Sequence, residues 1–151
     1  MNLQTKYFGE IQVKETDFIK FRVGMLGFEE EHSYVLLPFE GSDGGMLCLQ
    51  STMTPSLAFV LLDPFRLLPD YEPVLRPAEL KEFGVADEKM LSYYVLCAVK
   101  SPVSSSTVNL KCPIAIHPET LQACQIIMDT DKYEMRQTLV TLNSKEAGDS
   151  C

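Results

Sequence analysis

The feature that most constrains the fold of this chain is the spacing of its turn residues. Short apolar or alternating runs recur at roughly 8–12-residue intervals, each stopped by Gly, Pro or Asp. Leu3–Phe8 alternates and breaks at Gly9, and Ile11 and Val13 alternate with Gln12 and Lys14. Phe18–Phe21 runs on to Gly24, and Tyr34–Leu37 stops at Pro38. The turn cluster Glu40-Gly41-Ser42-Asp43-Gly44-Gly45 then leads into Met46–Gln50, and Ala58–Leu62 stops at Asp63-Pro64. Further on, Leu91–Val99 ends at Ser101-Pro102, while Thr107–Leu110 and Ile114–Ile116 flank Pro113. Many short strands with turns between them predict a mainly β, single-domain antiparallel barrel-like fold rather than βαβ units.

One or two short helices are expected beside the strands. Pro77–Phe83 has Pro at the first helical position, Glu79 in the first turn and Gly84 just past the end. Leu80 and Phe83 share a face, and a helix this short needs packing to hold it. Leu121–Met128 is ambiguous, because Ile126-Ile127-Met128 suits a buried strand as well as a helix.

Composition narrows the function. The 151 residues carry 13 Lys and Arg against 21 Asp and Glu, a net charge of −8. Direct binding to nucleic acid needs clustered cations, and docking on an anionic membrane needs them too. Neither is expected, and a basic partner or simple solubility fits the sign. No run approaches the roughly 20 apolar residues of a membrane helix, and the N-terminus lacks a basic region followed by an apolar one. The expectation is a cytoplasmic domain over 1–142 with a flexible polar tail over 143–151. The five cysteines are odd in number, with no C-x-x-C pair. Cys48, Cys97 and Cys124 sit in apolar company, as reduced and buried thiols do, and Cys151 reads as an exposed thiol. His32 and His117 are the only histidines, so no metal site and no cofactor are expected.

No catalytic constellation is legible. The chain has no Gly-x-Ser-x-Gly element, no phosphate loop and no dinucleotide glycine fingerprint. Two segments stand out instead. In Val23–Glu31, Gly24 and Gly27 bracket Met25 and Leu26, and Phe28 follows with Glu29, Glu30 and Glu31. Met25, Leu26 and Phe28 read either as plugs closing a barrel end or as an apolar anchor beside an acidic rim. The second segment is Asp63-Pro64-Phe65 with Pro69-Asp70-Tyr71-Glu72-Pro73. Its prolines define either a rigid connector or a preorganised loop presenting Phe65 and Tyr71. Partner binding is therefore assigned to Met25, Leu26, Phe28, Glu29, Glu30 and Glu31, and to Asp63, Phe65, Asp70, Tyr71 and Glu72.

At these segments the sequence resembles the FliW family, the flagellar assembly factors of bacteria. The resemblance runs from Thr5 to about Tyr133 and includes Lys6–Ile11, Phe21–Glu29 and Leu47–Ser51. It continues through Phe59, Asp63-Pro64, Asp70-Tyr71, Val108–Ile114 and Gln125–Ile127. Departures are Met25 where Leu is more usual, Cys112 where a small residue such as Ala is common, and the run Ser104–Ser106.

The resemblance implies a non-enzymatic, compact, antiparallel β-barrel-like protein, and it favours the strand option for Leu121–Met128. It also implies two protein partners, flagellin and the RNA-binding translational regulator CsrA. CsrA represses flagellin mRNA, flagellin competes for the FliW-like protein, and export of flagellin frees that protein to sequester CsrA. Such a partner switch is a pair of linked equilibria. An acidic protein suits a basic RNA-binding partner, and the chain is expected to be a monomer alone. The alternatives are a dedicated flagellin chaperone with no link to CsrA, or a small flavin- or cofactor-binding barrel. The latter needs a cationic clamp, and Arg22, Arg66, Arg76 and Arg136 are scattered.

Overall fold

In the computed structural model, residues 1–139 are described. The expected tail over 143–151, Cys151 included, lies outside the described residues. These residues form eleven strands, two short α-helices and three single-turn 3-10 helices. The strands are β1 (Asn2–Gln4), β2 (Glu10–Gln12), β3 (Ile19–Phe21), β4 (Ser33–Pro38), β5 (Met46–Ser51) and β6 (Ala58–Leu62). After helices α1 (Pro64–Leu67) and α2 (Pro77–Phe83) come β7 (Ser92–Ala98), β8 (Thr107–Val108), β9 (Ile114–Ile116), β10 (Gln122–Gln125) and β11 (Gln137–Thr138).

Seven strands close into a barrel in the order β7-β6-β5-β4-β3-β10-β9, and β9 pairs back onto β7. Closure removes the exposed sheet edges that an open sheet of this size would present. Every barrel pairing is antiparallel except β10 with β3, which is parallel. β8 and β11 extend the sheet outward from β7, and β1 and β2 form a separate hairpin.

Alternation along the strands divides two cores. Phe21, Tyr34, Leu49, Leu61, Ile114 and Ile116 pack together, with Tyr94 and Leu96 against them, and fill the barrel. The neighbours on the other parity, Tyr93, Val95 and Ala115, join a second core with Leu75, Phe83 and Tyr133. That outer core sits beneath α2 and the loop 68–76. A third cluster, Leu3, Val13 and Val35, seats the β1–β2 hairpin on β4.

Most strand positions agree with the turn spacing, with instructive exceptions. The expected strand Leu3–Phe8 stops at Gln4. Thr5 to Gly9 is a turn instead, in which the Thr5 hydroxyl donates to the Gly9 carbonyl at 2.6 Å and accepts from the Phe8 N–H at 2.9 Å. A threonine hydroxyl that bonds its own turn outcompetes β propensity here. Thr107–Leu110 is strand only to Val108, because the Asn109 side chain accepts from the Cys112 N–H and bends the chain. Asp63-Pro64-Phe65 opens a helix: Asp63 caps α1, accepting from the Phe65 N–H at 2.9 Å, with Pro64 at the first helical position. The Gly84 φ of +72° ends α2 as expected. Leu121–Met128 contributes β10 over Gln122–Gln125.

The thiols follow their surroundings. Cys48 and Cys112 are buried, and Cys97 and Cys124 are half-buried. Burial pushes the Cys48 thiol up to about 11, with the Lys6 ammonium pulling the other way. His117 closes the β9–β10 turn, its Nδ1 accepting from the Glu119 N–H at 3.1 Å. Among the described residues, no helix is long and apolar enough to cross a membrane, and no group of three or more His, Cys, Asp or Glu is placed to hold a metal ion.

Candidate functional site

The Gly-bracketed segment forms a tight loop between β3 and β4. Gly24 is required by close approach, since a Cβ there would lie 2.2 Å from the Phe28 carbonyl oxygen. Gly27 holds a φ of +86°, which favours glycine. Between them the two large residues part company. Met25 is 1% exposed and packs into the barrel core, so it is the plug at that end. Leu26 is 51% exposed, and its N–H donates to the Gln125 side chain at 2.9 Å. Phe28 is 39% exposed, and its ring edge meets Phe59 of β6 at 5.0 Å between centroids. Leu26 and Phe28 are therefore surface residues, and Met25 is core.

The three consecutive glutamates also divide. Glu29 and Glu30 are exposed. Glu31 is half-buried and turned inward, accepting from the Ser51 hydroxyl at 2.7 Å and the Thr54 hydroxyl at 2.6 Å. It ties its own loop to the loop after β5. That second loop is also built on Gln50, fully buried, whose amide donates to the carbonyls of Pro55 at 3.1 Å and Leu57 at 3.1 Å. Among the described residues, the buried Tyr34 hydroxyl has no hydrogen-bond partner. Burial first, and then the Glu31 carboxylate, pushes it well above the ordinary tyrosine value.

The second segment lies at the other end of β6, where Asp63 follows Leu62. Phe59 and Asp63 are four residues apart, about 13 Å of extended chain. A groove of about 700 Å³ opens here between α1, the loop 71–74 and the start of β7. Phe65, Tyr71, Tyr93 and Tyr94 form its wall, with Asp63, Glu72 and Glu88 at the edge. Phe65 is 40% exposed and meets Tyr71 and Tyr93 edge-on, at 5.9 and 6.4 Å between centroids. Tyr71 is buried, and its hydroxyl donates to the Leu110 carbonyl at 2.5 Å. Burial and the carboxylates of Glu88 and Asp87 push the Tyr93 hydroxyl up, and burial together with Asp63 does the same to Tyr94. Asp70 is exposed but stands outside the groove lining.

Several participants carried no sequence signal. Ser51 and Thr54 meet Glu31 only because β4 pairs with β5. Glu88, Tyr93 and Tyr94 reach Phe65 only because β7 pairs with β6. The arginines do not converge: Arg22 pairs with Glu82, Arg66 with Asp63 at 3.8 Å and Arg76 with Glu79 at 3.3 Å.

The described residues thus define a small closed β-barrel filled with side chains, with an acidic, partly apolar loop at one end of β6 and an aromatic groove with an acidic edge at the other. A family model described as "FliW protein" matches residues 2–139. A flagellar assembly factor FliW from Ruminiclostridium cellulolyticum is 33% identical over 140 residues, covering 93% of this chain and 95% of that protein. One from Geobacillus kaustophilus is 37% identical over 139 residues, covering 92% and 95%. A crystal structure of the flagellar assembly factor FliW superposes with a TM-score of 0.85 at 34% identity, covering 92% of this chain and 96% of that one. The chain belongs to the FliW family.

Proposed function

We propose that this chain is a non-enzymatic, cytoplasmic flagellar assembly factor that works by switching partners. It binds CsrA and antagonises CsrA repression of flagellin mRNA, and flagellin binding withdraws it from CsrA. The observation that carries this reading is the FliW-family match over residues 2–139. Charge supports the first partner. A protein of net charge −8 associates readily with a basic RNA-binding regulator and repels the message that regulator holds. Exposed Glu29 and Glu30 beside exposed Leu26 and Phe28 supply the acidic rim and apolar anchor such a contact uses. Flagellin, whose terminal segments are amphipathic helices, is a different partner, and an apolar face suits it. The protein acts as a monomer on its own and does not bind the message itself.

The deciding experiment titrates this protein into CsrA bound to labelled flagellin leader RNA, with and without flagellin. RNA is expected to be released, and added flagellin is expected to restore its binding. Release should weaken as salt rises, because exposed charges are screened within about 8 Å at physiological ionic strength. Capture of flagellin with no effect on the CsrA–RNA complex would instead make the protein a dedicated flagellin chaperone.

A further inference from the structure

The groove at the Asp63 end of β6 combines two properties that rarely coincide by packing alone. Its wall is aromatic, from Phe65, Tyr71, Tyr93 and Tyr94. Its edge is acidic, from Asp63, Glu72 and Glu88, with Lys89 the one cation among the described lining residues. These carboxylates are not equivalent. Asp63 is committed, capping α1 through the Phe65 N–H and pairing with Arg66. The carboxylates of Glu72 and Glu88 form no hydrogen bond or ion pair among the described residues, although the backbone of both residues is engaged. The Glu72 N–H donates to the Tyr133 hydroxyl at 2.9 Å, and the Glu88 carbonyl accepts from the Tyr93 hydroxyl at 2.6 Å. The main chains are anchored beside an aromatic face while the carboxylates stay open.

That chemistry selects its occupant. An acidic segment would meet three carboxylates against one ammonium. A wholly apolar segment would strip water from Glu72 and Glu88 and return no hydrogen bonds. A guanidinium satisfies both surfaces. Its plane stacks on aromatic faces, its fork donates to carboxylates in pairs, and it gives up hydration more readily than an ammonium does. We propose that this groove is a docking site for an arginine-bearing segment of a protein partner, with Glu72 and Glu88 as the acceptors and the exposed Phe65 ring, backed by the buried Tyr71 and Tyr93, as the stacking face. The site stands apart from the acidic loop at the other end of β6, and it does not depend on the CsrA contact proposed above.

The test uses the full chain, labelled with 15N, and an N-acetylated, C-amidated tetrapeptide of alternating leucine and arginine. Amide shifts are expected to be confined to residues 63–74 and 88–94. Affinity is expected to fall by about tenfold or more in Glu72→Gln with Glu88→Gln, which removes both charged acceptors. It should be unchanged in Glu29→Gln with Glu30→Gln. Equal weakening in both double variants would reduce the effect to net charge and overturn the assignment. Shifts centred on residues 23–31 would overturn it as well. So would equal binding of the all-leucine peptide, which would make the groove purely apolar, or of the leucine–lysine peptide, which would remove the preference for arginine. Absence of shifts at millimolar peptide would also overturn it. Release of RNA from CsrA is measured without this peptide, so the two readings fail separately.

Discussion

The loop 23–31 and the groove at residues 63–74 and 88–94 occupy opposite ends of β6, and they are built in opposite ways. The loop is specified locally. Two glycines three apart fold it, Met25 plugs it into the barrel, and the next residues are left outside. The groove is specified by pairing. Its wall joins α1, the loop after it and β7, which are brought together by β6–β7 register and by the Tyr71 hydroxyl reaching Leu110. A locally built site should tolerate surface changes and fail only at its plug. A pairing-built site should be sensitive to the hydrogen bonds that hold its walls.

The largest effect is expected at the plug. Met25→Ala should cost about 2–5 kcal/mol, the range for emptying a core position of this size. Leu26→Ala, one residue on and exposed, should stay within about 0.5 kcal/mol. Urea denaturation of the two variants measures both. Equal costs would mean that Leu26 is also part of the closure.

Next comes Glu31, which the run of three glutamates disguises as a surface charge. Glu31→Ala should cost about 1.5–3 kcal/mol by the same measurement, since it leaves the Ser51 and Thr54 hydroxyls without their charged acceptor. A neutral outcome would return Glu31 to the exposed rim with its two neighbours. At the groove, Tyr71→Phe should cost about 1–3 kcal/mol, because the buried Leu110 carbonyl loses its donor.

The contrast between these residues shows what was legible in sequence. Turn spacing placed most strands, because Gly, Pro and Asp punctuate a small barrel regularly. The Pro77–Gly84 helix was legible because its caps lie within the same few residues. Glu31 was not distinguishable from Glu29 and Glu30, because its partners are on another strand. Phe65 was singled out, but not the Tyr93 and Glu88 that complete its groove. Barrel closure through β9 and β7, and the parallel β10–β3 pairing, are likewise long-range facts. Resemblance to a known family favoured strand for Leu121–Met128 where periodicity left helix and strand open, and the structure has strand over Gln122–Gln125 but not over 126–128.

Tyr34 sharpens the comparison from the loop side. Among the described residues its hydroxyl has no partner, unlike that of Tyr71, so Tyr34→Phe should change neutral-pH stability by no more than about 0.5 kcal/mol. Alkaline pH should separate it from wild type. The folded protein holds Tyr34 well above the ordinary value of 10.0, so the neutral phenol is favoured in the folded state. That contribution is fully present below pH 10 and is lost as pH rises toward the folded value. Wild type should therefore lose stability above pH 10 more steeply than Tyr34→Phe. Parallel alkaline curves would show that the hydroxyl finds a partner, for example a water molecule.

The smallest effect on stability, and the most informative for function, is expected at Glu29 and Glu30. Both are exposed and neither is in an ion pair among the described residues, so Glu29→Lys with Glu30→Lys should leave the denaturation midpoint within about 0.5 kcal/mol of wild type. The double variant moves net charge from −8 to −4, since each Glu-to-Lys change adds two charges. If the loop is the acidic rim of the CsrA contact, release of leader RNA from CsrA should weaken sharply and depend less on salt. Exposed carboxylates outside both sites supply the control: Glu40→Lys with Glu119→Lys makes the same change in net charge elsewhere on the surface. A matching loss in that variant would show that overall charge, and not the position of Glu29 and Glu30 beside Leu26 and Phe28, draws the partner in. A loss confined to the loop variant would tie recognition to the segment that two glycines fold.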